Sequence, residues 1–359
     1  MVIWFYLAQF KYIKINSLQT EKMKQKHYTI PIFIPELACP FQCVFCNQQK
    51  ITGKQLIPDD AEIISTIEAH LSSFKEKNRR VEIGFFGGSF TGVPFNEQKH
   101  YLEIIQPFIQ SGEIAAIRVS TRPDYIGEKE LDLLKKYGVQ SIELGAQSFD
   151  DEVLKQSFRG HTAQQTEAAA KAILKADFQL GLQMMIGLPG DSLQKALKTA
   201  RRIIELGAHT TRIYPAVVIK DTAMHQWYEQ GKYKPLSLNE AVDWTKQILP
   251  LFENAGVKVL RVGLHPSEGL LNGDELVAGP FHPSFKELVL TEIWGDLLRP
   301  LAKTENAESI QIQVPKGELN TAVGHQAKNK KYLLQFFRKV KFMEDEGLTG
   351  RNYTVVAGR

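Results

Sequence analysis

The chain has 359 residues, 43% hydrophobic and 23% charged, values of an ordinary folded protein that exclude wholesale disorder. Its three cysteines, Cys39, Cys43 and Cys46, are crowded into one short stretch; this argues against a disulfide-stapled secreted fold and for metal chemistry in a reducing, cytoplasmic setting. The net charge of +4 is uneven, with +4 on residues 1–27, +4 on residues 301–359 and −4 between them, so a uniform nucleic-acid-binding surface is not indicated.

Met1 to Phe10 are apolar and aromatic. Ten residues fall short of the roughly 18–20 needed to cross a bilayer, so no membrane association is expected. Lys11 and Lys14 follow the apolar run rather than precede it, the reverse of a secretory signal. Residues 1–27 therefore read as an N-terminal extension, possible as an interfacial anchor but better explained by true initiation at Met23. From residue 28 onward, short apolar runs alternate with amphipathic segments. Strands are predicted at 28–34, 81–86, 115–120, 139–144, 179–186 and 210–214, with helices at 60–75, 97–110, 128–137, 163–175 and 193–206. Asp59 followed by Glu62, and Thr162 followed by Gln165, are capping-box pairs that mark two helix starts. Six strand–helix repeats with nearly continuous apolar strands indicate a parallel sheet, as an open barrel or a doubly wound sheet, with ligands at the C-terminal strand ends.

Each strand end carries a distinctive segment. The first leads to Cys39-Pro-Phe-Gln-Cys43-Val-Phe-Cys46, and the second ends in Gly87-Gly88-Ser89. The third runs into Ser120-Thr-Arg-Pro-Asp-Tyr125, the fourth into Gly145-Ala-Gln147-Ser-Phe149, and the fifth through Gln183 into Gly187-Leu-Pro-Gly190. Thiolates bind zinc or iron–sulfur clusters; closed zinc sites need four ligands, and no histidine lies between His27 and His70 to be the fourth. Three thiolates instead suit a [4Fe–4S] cluster with one open iron.

The CxxxCxxC spacing after the first strand resembles the signature of the radical S-adenosylmethionine (SAM) superfamily. The resemblance implies a partial (β/α)6 radical SAM barrel with Cys39, Cys43 and Cys46 as cluster ligands. It further implies that Phe45 packs near the SAM adenine and that Gly87, Gly88 and Ser89 meet the methionine amino group. Gly145-Ala-Gln147-Ser-Phe149 with Arg159 is similar to the branch shared by oxygen-independent coproporphyrinogen oxidases and the elongator catalytic subunit, in which the glutamine and arginine face SAM. Ser120 and Gln183 stand where the oxidase has acidic residues, which disfavours porphyrin chemistry and leaves the ribose and adenine contacts at those positions in question. Ser120–Tyr125, Arg159–Thr162, Ile213–Lys220, Arg261–Pro266 and Gly279–Phe285 all read like the elongator side. His265 and His282 in those last segments are candidates for either substrate contact or loop packing. Some 60 residues remain beyond this region, too few for the elongator subunit's acetyltransferase domain, so acetyl transfer is not expected.

The C-terminal piece, 301–359, reads as strand, turn, two helices and strand, with extra strands and helices linking it to a barrel region at 28–300. It is similar to KH modules of NusA-type factors, with Gly324-His-Gln-Ala327 at the clamp loop and Lys328, Lys330 and Lys331 after it. A small α/β KH-like cap of this kind implies tRNA or another RNA as partner; alanine at the second glycine position weakens the backbone approach, and a small α/β cap with a solvated basic face is the alternative. The resemblance as a whole implies reductive cleavage of SAM to a 5′-deoxyadenosyl radical, fed by a one-electron donor such as flavodoxin or ferredoxin, for RNA modification. A radical SAM enzyme on a small molecule, and an RNA-binding protein with a structural cluster, are the alternatives; no catalytic residue beyond the cofactor contacts is assigned.

Overall fold

The computed structural model describes residues 25–34, 43–47, 58–303 and 307–358. Met23 and Cys39 lie outside these residues. A seven-stranded sheet organises the molecule: β1 (Lys26–Ile34), β2 (Arg79–Gly87), β3 (Ala116–Thr121), β4 (Val139–Gln147), β5 (Gln179–Ile186), β6 (Thr210–Pro215) and β8 (Lys258–Val262). All neighbours are parallel, and the order β1-β2-β3-β4-β5-β6-β8 follows the chain without reversal. Because parallel crossovers share one hand, a sheet wound in one direction collects its helices on one face and leaves the other face open. A doubly wound sheet would reverse its strand order, so this sheet is a curled half-barrel.

The helices between these strands are α1 (Asp60–Ser73), α2 (Phe95–Gln110), α3 (Glu128–Lys136), α4 (Asp151–Gln156), α5 (Ala163–Lys175) and α6 (Leu193–Glu205). The two expected capping boxes are present, with the Asp59 and Thr162 side chains accepting from the Glu62 and Gln165 amides. Alternation in the strands sorts the residues by face. Ile30, Ile83, Val119, Leu144, Leu182 and Ile213 join the helix side chains in one apolar core. Their neighbours Glu82, Arg118, Glu143, Gln183 and Arg212 point to the concave side.

Six strands were expected from the alternation, and β8 makes seven. Its Lys258 and Arg261 interrupt the apolar run, and only five residues belong to it. Beyond β6, α7 (Ala223–Glu229) follows the short β7 (Val218–Ile219), which pairs antiparallel with β9 (Leu276–Ala278). Two longer helices, α8 (Leu238–Asn254) and α10 (Phe285–Leu298), flank the one-turn α9 (Glu268–Leu271).

The C-terminal residues form a second, three-stranded sheet from β10 (Ser309–Pro315), β11 (Lys339–Asp345) and β12 (Thr354–Gly358), in the order β11-β10-β12. β10 and β11 are parallel and connected through α11 (Leu319–Val323) and α12 (Lys328–Leu333), whereas β12 is antiparallel to β10. Ile310, Ile312, Val314 and Val340 pack with Trp294 and Leu298 of α10. The opposite side of α10, through Phe285, Val289 and Ile293, belongs to the half-barrel core. A helix buried on two sides carries apolar residues on both, and its charged Lys286, Glu287 and Asp296 take the exposed positions that remain.

Candidate functional site

The C-terminal ends of β4, β5 and β6 lie against the cysteine turn. Cys43 is buried and Cys46 half-buried, and the turn between them is closed by the Cys46 amide donating to the Cys43 carbonyl at 2.9 Å. Neighbouring elements hold this turn from two sides. The Val44 amide donates to the Ser157 carbonyl after α4 (3.2 Å), and the Val44 carbonyl accepts from the Met224 amide of α7 (2.8 Å). Val44 and Phe45 pack against Val153, Met185, Leu188 and Met224, an apolar cap over the ends of β5 and β6.

Arg159 ties the turn to the strands. Its Nη1 donates to Cys43 Sγ at 3.2 Å and its Nη2 to the Gly145 carbonyl at 2.6 Å, while the buried Nε has no hydrogen-bond partner. The segment carrying it is itself clamped. Arg122 makes a bidentate pair with Asp124, both bonds 2.9 Å, and donates to the Arg159 carbonyl. His161 lies in the same segment, and burial, reinforced by the Arg159 and Arg122 charges, pushes its pKa down to about 3. It is therefore a neutral, packed imidazole at physiological pH.

Gly145 has no room for a side chain, since an added Cβ would lie 3.0 Å from Gln147 Nε2 and 3.3 Å from Arg159 Nη2. Gln147 holds a left-handed φ of 63°, a conformation disfavoured for side-chain-bearing residues, and its Oε1 accepts from Gln183 Nε2 at 3.2 Å. Cys43, Arg159, Gly145, Gln147 and Gln183 thus form one connected set. Gly87 and Ser89 hold the strand ends together. A Cβ on Gly87 would sit 2.8 Å from the Ile34 carbonyl, and Gly88 donates its amide to that same oxygen. Ser89 Oγ lies 2.8 Å from Thr121 Oγ1 and accepts from the Arg122 amide, joining the end of β2 to the end of β3. Ser120 stands half-buried on β3, in register with Glu143. His282 accepts from the Ser284 amide through Nδ1, a local cap, and His265 is exposed in its loop.

A row of charges crosses the concave face below this set. Glu82 accepts from Thr29 (2.9 Å) and from Arg118 (3.1 Å), Arg118 Nη1 lies 4.0 Å from Glu143 Oε2, and Glu143 Oε1 pairs with Arg212. Arg212 continues to the Tyr214 hydroxyl at 3.4 Å and lies over the Phe86 ring. Burial opposes the Arg212 charge, yet the Glu143 carboxylate holds its pKa above the ordinary value. Nearby, Asp191 accepts from the Gly187 and Ser192 amides and fixes the Gly187–Gly190 loop; burial nonetheless raises its pKa to about 6. These ionisable residues were not singled out in the sequence. For Arg118 and Glu143 there is a signal, a single charge in each of β3 and β4.

The donor set fits a cluster and SAM. Two thiols on one pinned turn are soft ligands for iron, and the buried unpartnered Arg159 Nε is a donor awaiting an anionic group. Comparisons with known proteins agree with this chemistry. Residues 34–203 match the Radical SAM superfamily model, and residues 208–294 match the Radical_SAM C-terminal domain. An uncharacterized protein of Methanocaldococcus jannaschii is 28% identical over 232 residues, covering 62% of this chain and 71% of that one. The tRNA uridine(34) acetyltransferase of the same organism is 33% identical over 141 residues, which are 38% of this chain and 26% of the relative. Elongator complex protein 3 of Saccharomyces cerevisiae is 27% identical, covering 48% of this chain and 34% of its own length. The chain therefore spans only about a quarter to a third of these last two relatives. The solved structure of Methanocaldococcus infernus Elp3, lacking its N-terminus, shares the fold with a TM-score of 0.61 at 21% identity, over 77% of this chain and 64% of that one. Among the described residues no helix is long and apolar enough to cross a membrane. The chain belongs to the radical SAM superfamily, whose enzymes use a [4Fe–4S] cluster and SAM.

Proposed function

We propose that this protein is a radical SAM enzyme that modifies RNA, with tRNA as the substrate class. The observation that carries the chemistry is the buried Arg159 bridge between Cys43 Sγ and the Gly145 carbonyl, which joins the cysteine turn to the polar rim of the sheet. In this reading Cys39, Cys43 and Cys46 hold the cluster. Arg159 offers its guanidinium to the SAM carboxylate, a charge-assisted bond in a dry setting. Gln147 and Gln183 supply amide groups beside it, Gly87, Gly88 and Ser89 shape the neighbouring strand ends, and Ser120 stands on the next strand. Phe45 gives the adenine an apolar neighbour. When bound, the two groups supply one-electron cleavage of the sulfonium and abstraction of a hydrogen from substrate. The chain's own work is to orient these groups and to hold charge: the Glu82–Arg118–Glu143–Arg212 row keeps the concave face polar.

RNA as substrate is supported by the relatives named as acting on tRNA uridine(34) and by the lysines of the C-terminal module. Lys330, Lys331, Lys339 and Lys341 carry no carboxylate partner among the described residues, as expected of phosphate contacts. A second reading, a small-molecule substrate, is favoured by one observation. The Gly324–Ala327 loop is committed to α10, with the His325 amide on Thr291 Oγ1, Asn329 on the Thr291 carbonyl, and Lys328 paired with Glu292.

Anaerobic reconstitution followed by SAM and dithionite is expected to yield 5′-deoxyadenosine, and Cys43→Ala to abolish both cluster uptake and that product. A cluster without SAM cleavage overturns the enzymatic reading. The tRNA nucleoside profile of a deletion strain separates the substrates: a missing modified nucleoside is expected, and an unchanged profile favours the small molecule.

A further inference from the structure

β8 ends the sheet at one edge and places Arg261 directly beside Arg212 of β6, its partner in the parallel register. Register partners share a face, and Arg212 faces the concave side, where it pairs with Glu143 and lies over the Phe86 ring. Arg261 is therefore on the concave face as well, half-buried at its open edge. Like charges side by side on one sheet face repel and weaken the pairing. An anion between the two guanidinium groups would offset that repulsion.

The carboxylates of the row are already committed. Glu143 is shared by Arg212 and Arg118, and Glu82 by Arg118 and His27. Arg261 has no carboxylate at ion-pair distance among the described residues, so two acids stand against three arginines. His265, in the loop after β8, has its pKa lowered by burial and by the Arg261 charge, with no acid raising it. Tyr214, two residues on from Arg212, adds a donor on the same face. Its hydroxyl oxygen accepts from Arg212 Nη1 at 3.4 Å, which leaves its proton to donate, and burial keeps the phenol protonated.

We propose that Arg261, Arg212 and the Tyr214 hydroxyl form a phosphate subsite that holds the substrate on the concave face. Two guanidinium forks and one hydroxyl match the oxygens of a phosphate, and the unpaired Arg261 charge is what the phosphate neutralises. Gln183 links the subsite to the rim: it is the register partner of Arg212, and it donates to Gln147 in the set that contains Arg159 and Cys43. Two strand spacings, about 10 Å, separate Gln183 from Arg261, close enough for one nucleotide to reach both. The choice of phosphate rests on the RNA reading above, and the phosphate belongs either to the RNA backbone or to a free nucleotide.

Binding of uridine 5′-monophosphate, uridine and bulk tRNA to the full chain, reconstituted anaerobically and supplied with SAM, tests the subsite. The wild type is expected to prefer the monophosphate to uridine by about tenfold or more. Arg261→Gln removes a charge without stranding a partner, so its unfolding midpoint is expected to match the wild type while that preference falls about tenfold. Weaker tRNA binding by the variant, with a salt slope lower by about one, assigns the phosphate to the RNA backbone. Unchanged tRNA binding with the lost preference assigns it to a free nucleotide. A wild type that does not distinguish the two nucleosides, a variant that keeps the preference, or equal loss of uridine and monophosphate overturns the proposal. If tRNA still binds the wild type in those cases, the subsite alone fails; if neither tRNA nor the monophosphate binds it, the RNA reading fails as well.

Discussion

The two faces of the seven-stranded sheet are built from alternate residues of the same strands, yet they obey different rules. On the convex face Leu144, Val119 and Ile83 meet helices and are held by apolar contact alone, a non-directional attraction that tolerates exchange of similar volumes. On the concave face Glu82, Arg118 and Glu143 are nearly as buried and Arg212 is half-buried, and the four are held by one another. Buried ion pairs contribute little net stability, because desolvation offsets their attraction, but loss of one partner strands the other. The convex face makes the protein fold, and the concave face holds a row of paired charges against it.

Breaking the row at its centre has the largest expected effect. Glu143→Ala leaves the Arg118 and Arg212 guanidinium groups facing each other without their shared carboxylate, and is expected to cost about 3–5 kcal/mol in denaturant unfolding. The comparison sharpens with the paired replacement Glu143→Leu/Arg212→Met, which removes both charges. That variant is expected to unfold near the wild-type midpoint while losing most of its hydrogen-abstraction activity. A double variant as unstable as Glu143→Ala would show the row to be structural. On the convex side, Leu144→Ala is expected to cost about 2–4 kcal/mol with SAM cleavage retained below the melting temperature.

The smallest effect separates two titrating groups near the rim. The fold depresses the His161 pKa to about 3, so its stability contribution is full above the ordinary histidine value and is lost as pH falls. At pH 5 that loss is about 2 kcal/mol. Asp191 runs the other way. Its pKa is raised to about 6, so its burial penalty is present above that pH and is relieved as pH falls toward 4. The wild type is therefore expected to show a shallow pH dependence between 7 and 5, and His161→Gln to become relatively more stable as the pH is lowered. Equal pH profiles for the two proteins would refute the assignment to His161.

What was legible in the sequence follows the same division. The bounds of β5 and α5 are legible directly, because Gln179–Ile186 is rich in Leu, Met and Ile and carries no charge, and Ala163–Lys175 begins at a capping box. The cysteine spacing and the Gly145–Phe149 segment were legible because their chemistry is local. The charge row was not, since Arg118 meets a carboxylate 36 positions earlier and Arg212 one 69 positions earlier. Only assembly of the sheet brings β2 beside β3, and β4 within reach of β6 across β5. Arg159 was expected beside SAM, and its bond to Cys43, 116 positions away, depends on the same assembly. β8 escaped notice because Lys258 and Arg261 obscure a five-residue strand.

The helix α10 carries a consequence for cooperativity. Phe285, Val289 and Ile293 complete the core of the half-barrel, and Trp294 and Leu298 complete that of the C-terminal sheet, so neither core survives the loss of this one helix. Trp294 is also latched to Glu318, and Tyr353 to the Leu297 carbonyl, which fastens the small sheet at both ends. The two sheets are therefore expected to melt as a single calorimetric unit, with one transition in a thermal scan.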